Sequence, residues 1–156
     1  MNSSKPTMLP SDITPIKYNL AIEPNLDNFR FQGDISIDIQ VLKQTDFITL
    51  NCIELSIESC KLSTTPKTHI DASKTTFDQQ NETVTFHFST PVPCGISTIQ
   101  IKFRGEINDK LRGFYRSKYN NADGEECYLA TTQFEATDAR RAFPCWDEPG
   151  LKAKFQ

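Results

Sequence analysis

Residues 29–41 read Phe29-Arg30-Phe31-Gln32-Gly33-Asp34-Ile35-Ser36-Ile37-Asp38-Ile39-Gln40-Val41. Apolar or small residues occupy every odd position of this stretch, and polar or charged residues occupy every even position. Successive side chains of a β-strand point to opposite faces, so an unbroken period of two predicts one long strand with a buried face and a wet face. This stretch indicates that the fold is built from half-buried strands.

The same alternation continues on both sides of this strand. It appears in residues 18–22, 55–57, 84–88 and 99–103, and turn-forming residues separate these runs at 24–28, 64–67, 78–81, 91–95 and 120–124. The last turn carries Asp123-Gly124 between residues 113–119 and 125–134, which predicts a β-hairpin. Since no long amphipathic helix interrupts the strands, we predict an all-β, antiparallel sandwich or curved sheet.

We assign residues 1–10 to a flexible N-terminal tail and residues 11–156 to one β domain. Residues 150–156 begin a further alternating pattern, which resembles a strand cut in mid-course and predicts that the domain is truncated at its C-terminal end. An unpaired strand edge would follow from that truncation.

Composition narrows the possible partners and the compartment. A net charge of -3 argues against a general nucleic-acid or anionic-membrane surface, so we predict no nucleic acid and no membrane among the partners. The five cysteines lack any Cys-x-x-Cys pair, which argues against a structural zinc site. With neither a signal peptide nor a membrane span in the sequence, we expect a cytoplasmic protein with reduced thiols.

The densest chemistry lies in residues 131–149, Thr-Thr-Gln-Phe-Glu-Ala-Thr-Asp-Ala-Arg-Arg-Ala-Phe-Pro-Cys-Trp-Asp-Glu-Pro. A carboxylate held beside large aromatic side chains is costly unless it is paired or meets a cationic ligand, which makes Glu135 a candidate for recognising an amine. The alternative is a strand-end Glu135 in a surface ion pair. We predict that the remaining charges form an ion network around a short helical turn anchored by Trp146; these charges are Asp138, Arg140, Arg141, Asp147 and Glu148.

This segment resembles the signature near the end of the N-terminal domain of gluzincin zinc aminopeptidases, the family of aminopeptidase N and puromycin-sensitive aminopeptidase. The resemblance extends to Gly113-Phe114-Tyr115-Arg116-Ser117 and to residues 15–20, and it is greatest to the cytosolic puromycin-sensitive branch. It implies a saddle-shaped β domain that recognises substrates for a metalloprotease removing N-terminal amino acids from peptides. It also implies that Glu135 binds the free α-amino group of the peptide and that Gln133 lines the pocket for its first side chain.

The zinc site of that family is missing from this sequence. The family binds zinc through His-Glu-x-x-His, and neither of the two histidines, His69 in a polar loop and His87 on the wet face of a strand, belongs to such a motif. We therefore expect zinc only in a full-length parent enzyme, no metal bound by this chain, and no hydrolysis by the chain alone. In the parent, the chain's own catalytic domain would be its partner.

Two other functions remain open at this stage. A short, non-catalytic homologue would act as a peptide-binding or interaction module. An unrelated β-sandwich adhesion domain would require the match over residues 133–149 to be a coincidence.

Overall fold

The computed structural model describes residues 8–65 and 67–156, and nearly all of the regular structure in them is strand. The strands are β1 (Ile13–Asn25), β2 (Arg30–Val41), β3 (Thr45–Asn51), β4 (Leu55–Thr65), β5 (Thr68–Asp71), β6 (Lys74–Asp78), β7 (Thr83–Val92), β8 (Gly95–Glu106), β9 (Gly113–Asn120), β10 (Glu126–Gln133) and β11 (Lys154–Phe155). A single turn of 3₁₀ helix covers Ala139–Arg141 within this part of the chain. The prediction of an all-β fold is confirmed.

The larger sheet has six strands in the order β11-β1-β2-β8-β4-β5. β2 pairs antiparallel with β1 and β8 along its whole length. Its odd positions point into the core, where Ile35, Ile37 and Ile39 are 0% exposed, whereas Asp34 is exposed. The period of two therefore predicted this strand and its buried face correctly.

One edge of this sheet departs from the antiparallel prediction. β11 runs parallel to β1, with Lys17 opposite Lys154 and Tyr18 opposite Phe155. Two neighbouring strands are parallel when the chain between them crosses back to the end of the sheet at which the first strand starts. The long segment between β10 and β11 makes this crossing. The ring of Phe155 stacks on the ring of Tyr18 with centroids 4.6 Å apart, which fixes this short strand to the sheet.

A second sheet of three strands, in the order β3-β7-β6, shares the core of the first. Ile48 and Leu50 of β3 and Val84 and Phe86 of β7 are 0% exposed. They belong to the same hydrophobic cluster as the buried face of β2. Two sheets around one core form the predicted sandwich-like arrangement.

The predicted hairpin is confirmed as β9 and β10. Asn120 lies opposite Glu126 next to the turn, and Gly113 lies opposite Gln133 at the open end. Phe114 attaches the hairpin to the large sheet, since its ring lies edge-on to Phe31 at 5.1 Å. The open end of the hairpin leads directly into the segment that precedes the 3₁₀ helix. The large sheet thus positions Gln133 and the residues that follow it.

The N-terminal residues 1–7 lie outside the described part of the chain, so the predicted flexible tail is described only from Met8 onward. Leu9 is 8% exposed, and its N–H donates a 2.7 Å hydrogen bond to Oε1 of Glu148.

Across residues 8–65 and 67–156, the structure contains no helix with the length and apolar character needed to cross a bilayer.

Candidate functional site

A five-residue turn carries Glu135 away from the end of β10. The N–H of Asp138 donates a 2.9 Å hydrogen bond to the carbonyl of Phe134 and closes this turn, in which the Glu135–Ala136 peptide bond is cis. The ring of Phe134 packs edge-on against the ring of Phe143, with centroids 5.8 Å apart, and this contact holds the turn in place. Gln133 and Glu135, the two residues implied by the resemblance, are both exposed and lie two positions apart at this corner.

Within residues 8–65 and 67–156, the Glu135 carboxylate has neither a hydrogen-bond donor nor an ion-pair partner. The alternative of a surface ion pair therefore has no partner in the described structure. A solvated carboxylate on a closed turn can bind a cationic group. One carboxylate is sufficient to bind an ammonium group.

Hydrogen bonds anchor the segment that follows the turn to the end of β3 and to the residues just after it. Asn51 and Cys145 exchange N–H···O bonds of 2.8 and 3.1 Å, and the side-chain oxygen of Asn51 accepts the N–H of Asp147 at 3.0 Å. The carbonyl of Arg140 accepts the N–H of Ile53 at 3.1 Å. The segment is therefore attached to the core sheet at several points along its length.

Trp146 and Tyr18 complete this attachment. The backbone N–H of Trp146 donates a 3.1 Å hydrogen bond to the hydroxyl of Tyr18, and both side chains are buried. The predicted role of Trp146 as an anchor is consistent with its 5% exposure. Burial raises the pKa of Tyr18 well above its usual range, so the hydroxyl stays protonated at neutral pH.

Cys145 is a packed thiol and not a nucleophile. It is 3% exposed, and burial raises its pKa well above the usual value of a thiol, with the carboxylate of Asp147 adding to the shift. Nucleophilic attack requires the thiolate, which this environment disfavours.

The 3₁₀ helix presents two adjacent arginines to a ring of carboxylates. Nε of Arg140 lies 2.9 Å from Oδ2 of Asp147, and its Nη1 lies 3.1 Å from Oε2 of Glu82. The side chain of Arg140 is 11% exposed, so both pairs are largely shielded from solvent. A buried guanidinium retains its charge at a tolerable cost only with such partners.

Arg141 makes an even denser set of contacts. Its Nε lies 2.7 Å from Oδ1 of Asp138, its Nη1 lies 2.9 Å from Oε2 of Glu54, and its Nη2 lies 3.6 Å from Oε1 of Glu82. Burial lowers the pKa of Arg141, but hydrogen bonds to Asp138 and Glu54 outweigh that effect and raise it above the ordinary value. Arg141 is therefore a fixed positive charge directly behind the turn.

The predicted ion network is confirmed for four of its five residues, Asp138, Arg140, Arg141 and Asp147. Glu148 differs, because in the described structure its carboxylate accepts the N–H of Leu9. Sequence reasoning missed Glu54, which lies in the loop between β3 and β4, and Glu82, which lies in the loop between β6 and β7. No local pattern marks them, since Glu82 lies 58 positions from Arg140.

A groove of about 810 Å³ lies beyond Glu54 and is lined in part by Leu55, Ile57 and Phe77. Neither Gln133 nor Glu135 lines this groove. Both side chains are exposed to solvent at the corner where β10 ends.

The histidines have ordinary local partners. His69 lies in β5 and not in a loop as predicted, and its Nδ1 is 2.7 Å from the Ser63 hydroxyl on β4. His87 is half-buried, with its Nε2 3.2 Å from the Thr76 hydroxyl. In the described residues, no group of three or more His, Cys, Asp or Glu side chains could hold a metal ion, so they do not fit a zinc site.

Comparison with known proteins gives this geometry a context. Residues 14–156 match the family described as the peptidase M1 N-terminal domain. The chain is 47% identical over 149 residues to aminopeptidase 2 of Candida albicans, in an alignment covering 95% of this chain and 16% of the relative. It is 39% identical over 153 residues to the mitochondrial aminopeptidase 2 of Saccharomyces cerevisiae, covering 95% of this chain and 16% of that protein. It is 40% identical over 147 residues to the puromycin-sensitive aminopeptidase of Caenorhabditis elegans, covering 94% and 16%. The chain thus spans about a sixth of the length of these relatives.

Proposed function

This chain belongs to the peptidase M1 N-terminal domain family, and from that premise we propose that it is the substrate-recognition domain of a zinc aminopeptidase that removes N-terminal amino acids from peptides. In this proposal, Glu135 binds the free α-amino group of the peptide, and Gln133 lines the pocket for the first side chain. The names of the relatives, all of them aminopeptidases, support the activity of the longer protein.

One observation carries the assignment of Glu135. The other carboxylates of this segment are occupied, because Asp138 and Asp147 bind arginines and Glu148 binds the N–H of Leu9. Glu135 is exposed and has no partner in the described structure. It is therefore the acid of this segment that is available to a cationic ligand.

The chemistry of an ammonium group fits this carboxylate. A charged N–H donor and a carboxylate form a hydrogen bond about twice as strong as a neutral one, and the bond gains strength when water is excluded. A peptide without a free amino group would leave Glu135 desolvated and unpaired in a closed site, which disfavours its binding. Recognition of this kind favours cleavage at the N-terminus over cleavage within a chain.

We propose that zinc and the general base are supplied by a catalytic domain, which is the partner of this domain in a longer protein. The sequence has no His-Glu-x-x-His motif, and the described residues do not fit a zinc site. When bound, zinc would polarise the scissile carbonyl and activate water. This chain's own residues would bind and orient the N-terminus of the peptide, and the chain alone would not hydrolyse it.

We also propose a cytoplasmic location and a peptide as the binding partner, without nucleic acid or membrane. The five cysteines are all free, as expected in a reducing compartment, and the net charge is -3. A targeting experiment with the full-length protein tests the compartment, since one relative is named as a mitochondrial aminopeptidase.

The test is Glu135→Gln in the full-length aminopeptidase that contains this domain. Loss of a charge-assisted hydrogen bond worth about 1.5–3 kcal/mol lowers kcat/KM for peptides with a free N-terminus by about 10- to 150-fold, mainly through KM. Zinc content, measured by atomic absorption, stays unchanged.

Glu106→Gln provides the matched control, since Glu106 is exposed at the end of β8 and makes no ion pair in the described structure. It keeps wild-type kinetics. Wild-type kinetics in Glu135→Gln as well would remove the basis for this proposal.

A further inference from the structure

Arg141 lies directly behind the turn that presents Glu135. Its Nε donates a 2.7 Å hydrogen bond to Oδ1 of Asp138, and the N–H of Asp138 closes the turn on the carbonyl of Phe134 at 2.9 Å. The guanidinium therefore holds the residue at which the turn ends.

The same side chain supports the beginning of the turn. Gln133 pairs with Gly113 in the hairpin, and Gly113 adopts a left-handed φ of +67°. A Cβ at Gly113 would lie 2.7 Å from Cβ of Arg141 and 3.4 Å from the carbonyl oxygen of Asp138. The backbone opposite Gln133 thus rests on the aliphatic base of Arg141, so this one residue contacts the supports at both ends of the Glu135 turn.

Arg141 is in turn held by the core of the domain. Glu54 and Glu82, whose carboxylates reach it at 2.9 and 3.6 Å, follow β3 and precede β7. Both residues have left-handed backbones, with φ of 60° and 53°, a region in which glycine is the default residue.

We infer that Arg141 is a positioning residue that transmits the rigidity of the core, through Glu54 and Glu82, to the turn bearing Glu135. The consequence for peptide binding depends on the proposed function, whereas the effect on the turn itself does not. Arg141 does not contact the ligand. It sets the orientation of the carboxylate that does.

The geometry requires the planar fork of arginine. Three carboxylates approach three different nitrogens of Arg141. A lysine ammonium is a compact point charge on a flexible stem, so it lacks the rigid, planar set of separated nitrogens that meets these three acids. Arg141→Lys therefore keeps the charge and removes the positioning.

The matched control is Arg140→Lys. Arg140 has nearly the same exposure, 11% against 9%, and also binds two carboxylates, but these are Asp147 and Glu82 and not Asp138. A role that is merely structural would give the two variants the same phenotype.

The first measurement is amide hydrogen exchange of Asp138, followed by NMR on the 156-residue chain. Arg141→Lys raises the exchange rate of this amide at least about tenfold relative to the amides of β2, whereas Arg140→Lys changes it by less than about threefold. Equal rates in the two variants would overturn the inference. If Arg141→Lys does not fold, Glu54→Gln replaces it, because the Glu54 side chain is 41% exposed and its loss disturbs the core less.

The second measurement uses the full-length aminopeptidase and separates this inference from the proposed function. Arg141→Lys raises KM for peptides with a free N-terminus about fivefold or more and changes kcat less. When Glu135→Gln is already present, the further change in KM caused by Arg141→Lys is less than about twofold. Full additivity in the double variant would show that Arg141 does not act through Glu135. If Glu135→Gln has wild-type kinetics while Asp138 exchange still rises in Arg141→Lys, the positioning of the turn stands and the proposed function fails.

Discussion

Replacing Gly113 with alanine tests the contact between the hairpin and Arg141. The added methyl group meets two obstacles. The left-handed φ of +67° costs an L-residue about 1–2 kcal/mol, and the new Cβ would lie 2.7 Å from Cβ of Arg141. Cβ of Arg141 is bonded directly to the backbone, and three carboxylates hold the guanidinium at the other end of the side chain, so this Cβ cannot move aside freely.

The magnitude follows from these terms. Overlap in a packed site costs about 1–3 kcal/mol, and the lower entropy of alanine in the unfolded chain returns about 0.5–1 kcal/mol. We therefore expect Gly113→Ala to lower the free energy of unfolding by about 1–4.5 kcal/mol.

Gly124→Ala is the matched control, since Gly124 also has a left-handed φ, +82°, but nothing lies within 4 Å of a Cβ built there. Its cost is limited to the backbone and amounts to about 0–1.5 kcal/mol, so the overlap with Arg141 adds about 1–3 kcal/mol in Gly113→Ala alone. Urea unfolding can be followed by the fluorescence of Trp146, the single tryptophan of the chain, which lies in the attached segment. Equal destabilisation by the two substitutions, within about 0.5 kcal/mol, would refute the proposed contact between Gly113 and Arg141.

Three further predictions concern the core. Tyr18→Phe leaves the buried N–H of Trp146 without its acceptor and lowers the free energy of unfolding by about 1–3 kcal/mol in urea titrations; an unchanged midpoint would contradict this role of the hydroxyl. Ser97→Ala removes a buried hydroxyl that has no partner in the described structure, so thermal unfolding shows unchanged or slightly higher stability, and a loss above about 1 kcal/mol would reveal an unrecognised hydrogen bond. Burial raises the pKa of Cys52 from 9.0 to about 12, so the thiol loses its proton at lower pH in the unfolded chain than in the folded one. The free energy of unfolding therefore falls as pH rises between these values, by up to about 1.4 kcal/mol per pH unit. Cys52→Ala reduces that fall in urea titrations at pH 8.5 and 10.5, and an equal fall in the variant would exclude this thiol as its cause.

The fold could be predicted where one face of a strand is buried. β2 alternates without interruption because it lies between two partners with Ile35, Ile37 and Ile39 in the core. β5 and β6 were not predicted, since they are short edge strands with mostly exposed side chains and therefore show no period of two. The parallel pairing of β11 depends on a long connection, which local periodicity does not describe.

The candidate site was predictable only in its local part. Arg141 and Asp138 are three positions apart, so their ion pair could be inferred from a segment rich in charges and aromatic residues. Glu54 and Glu82 reach the same arginine from distant loops, and nothing in their immediate sequence distinguishes them from solvated acids. The left-handed backbones of these two residues became informative only when their carboxylates could be placed in space.

The most direct test of the account compares the inhibition constants of a dipeptide with a free amino group and its des-amino analogue in the full-length aminopeptidase. We predict that the wild-type enzyme prefers the amine at least about tenfold and that Glu135→Gln reduces this preference to less than about threefold. An undiminished preference for the amine in Glu135→Gln would contradict the central claim that Glu135 binds the α-amino group.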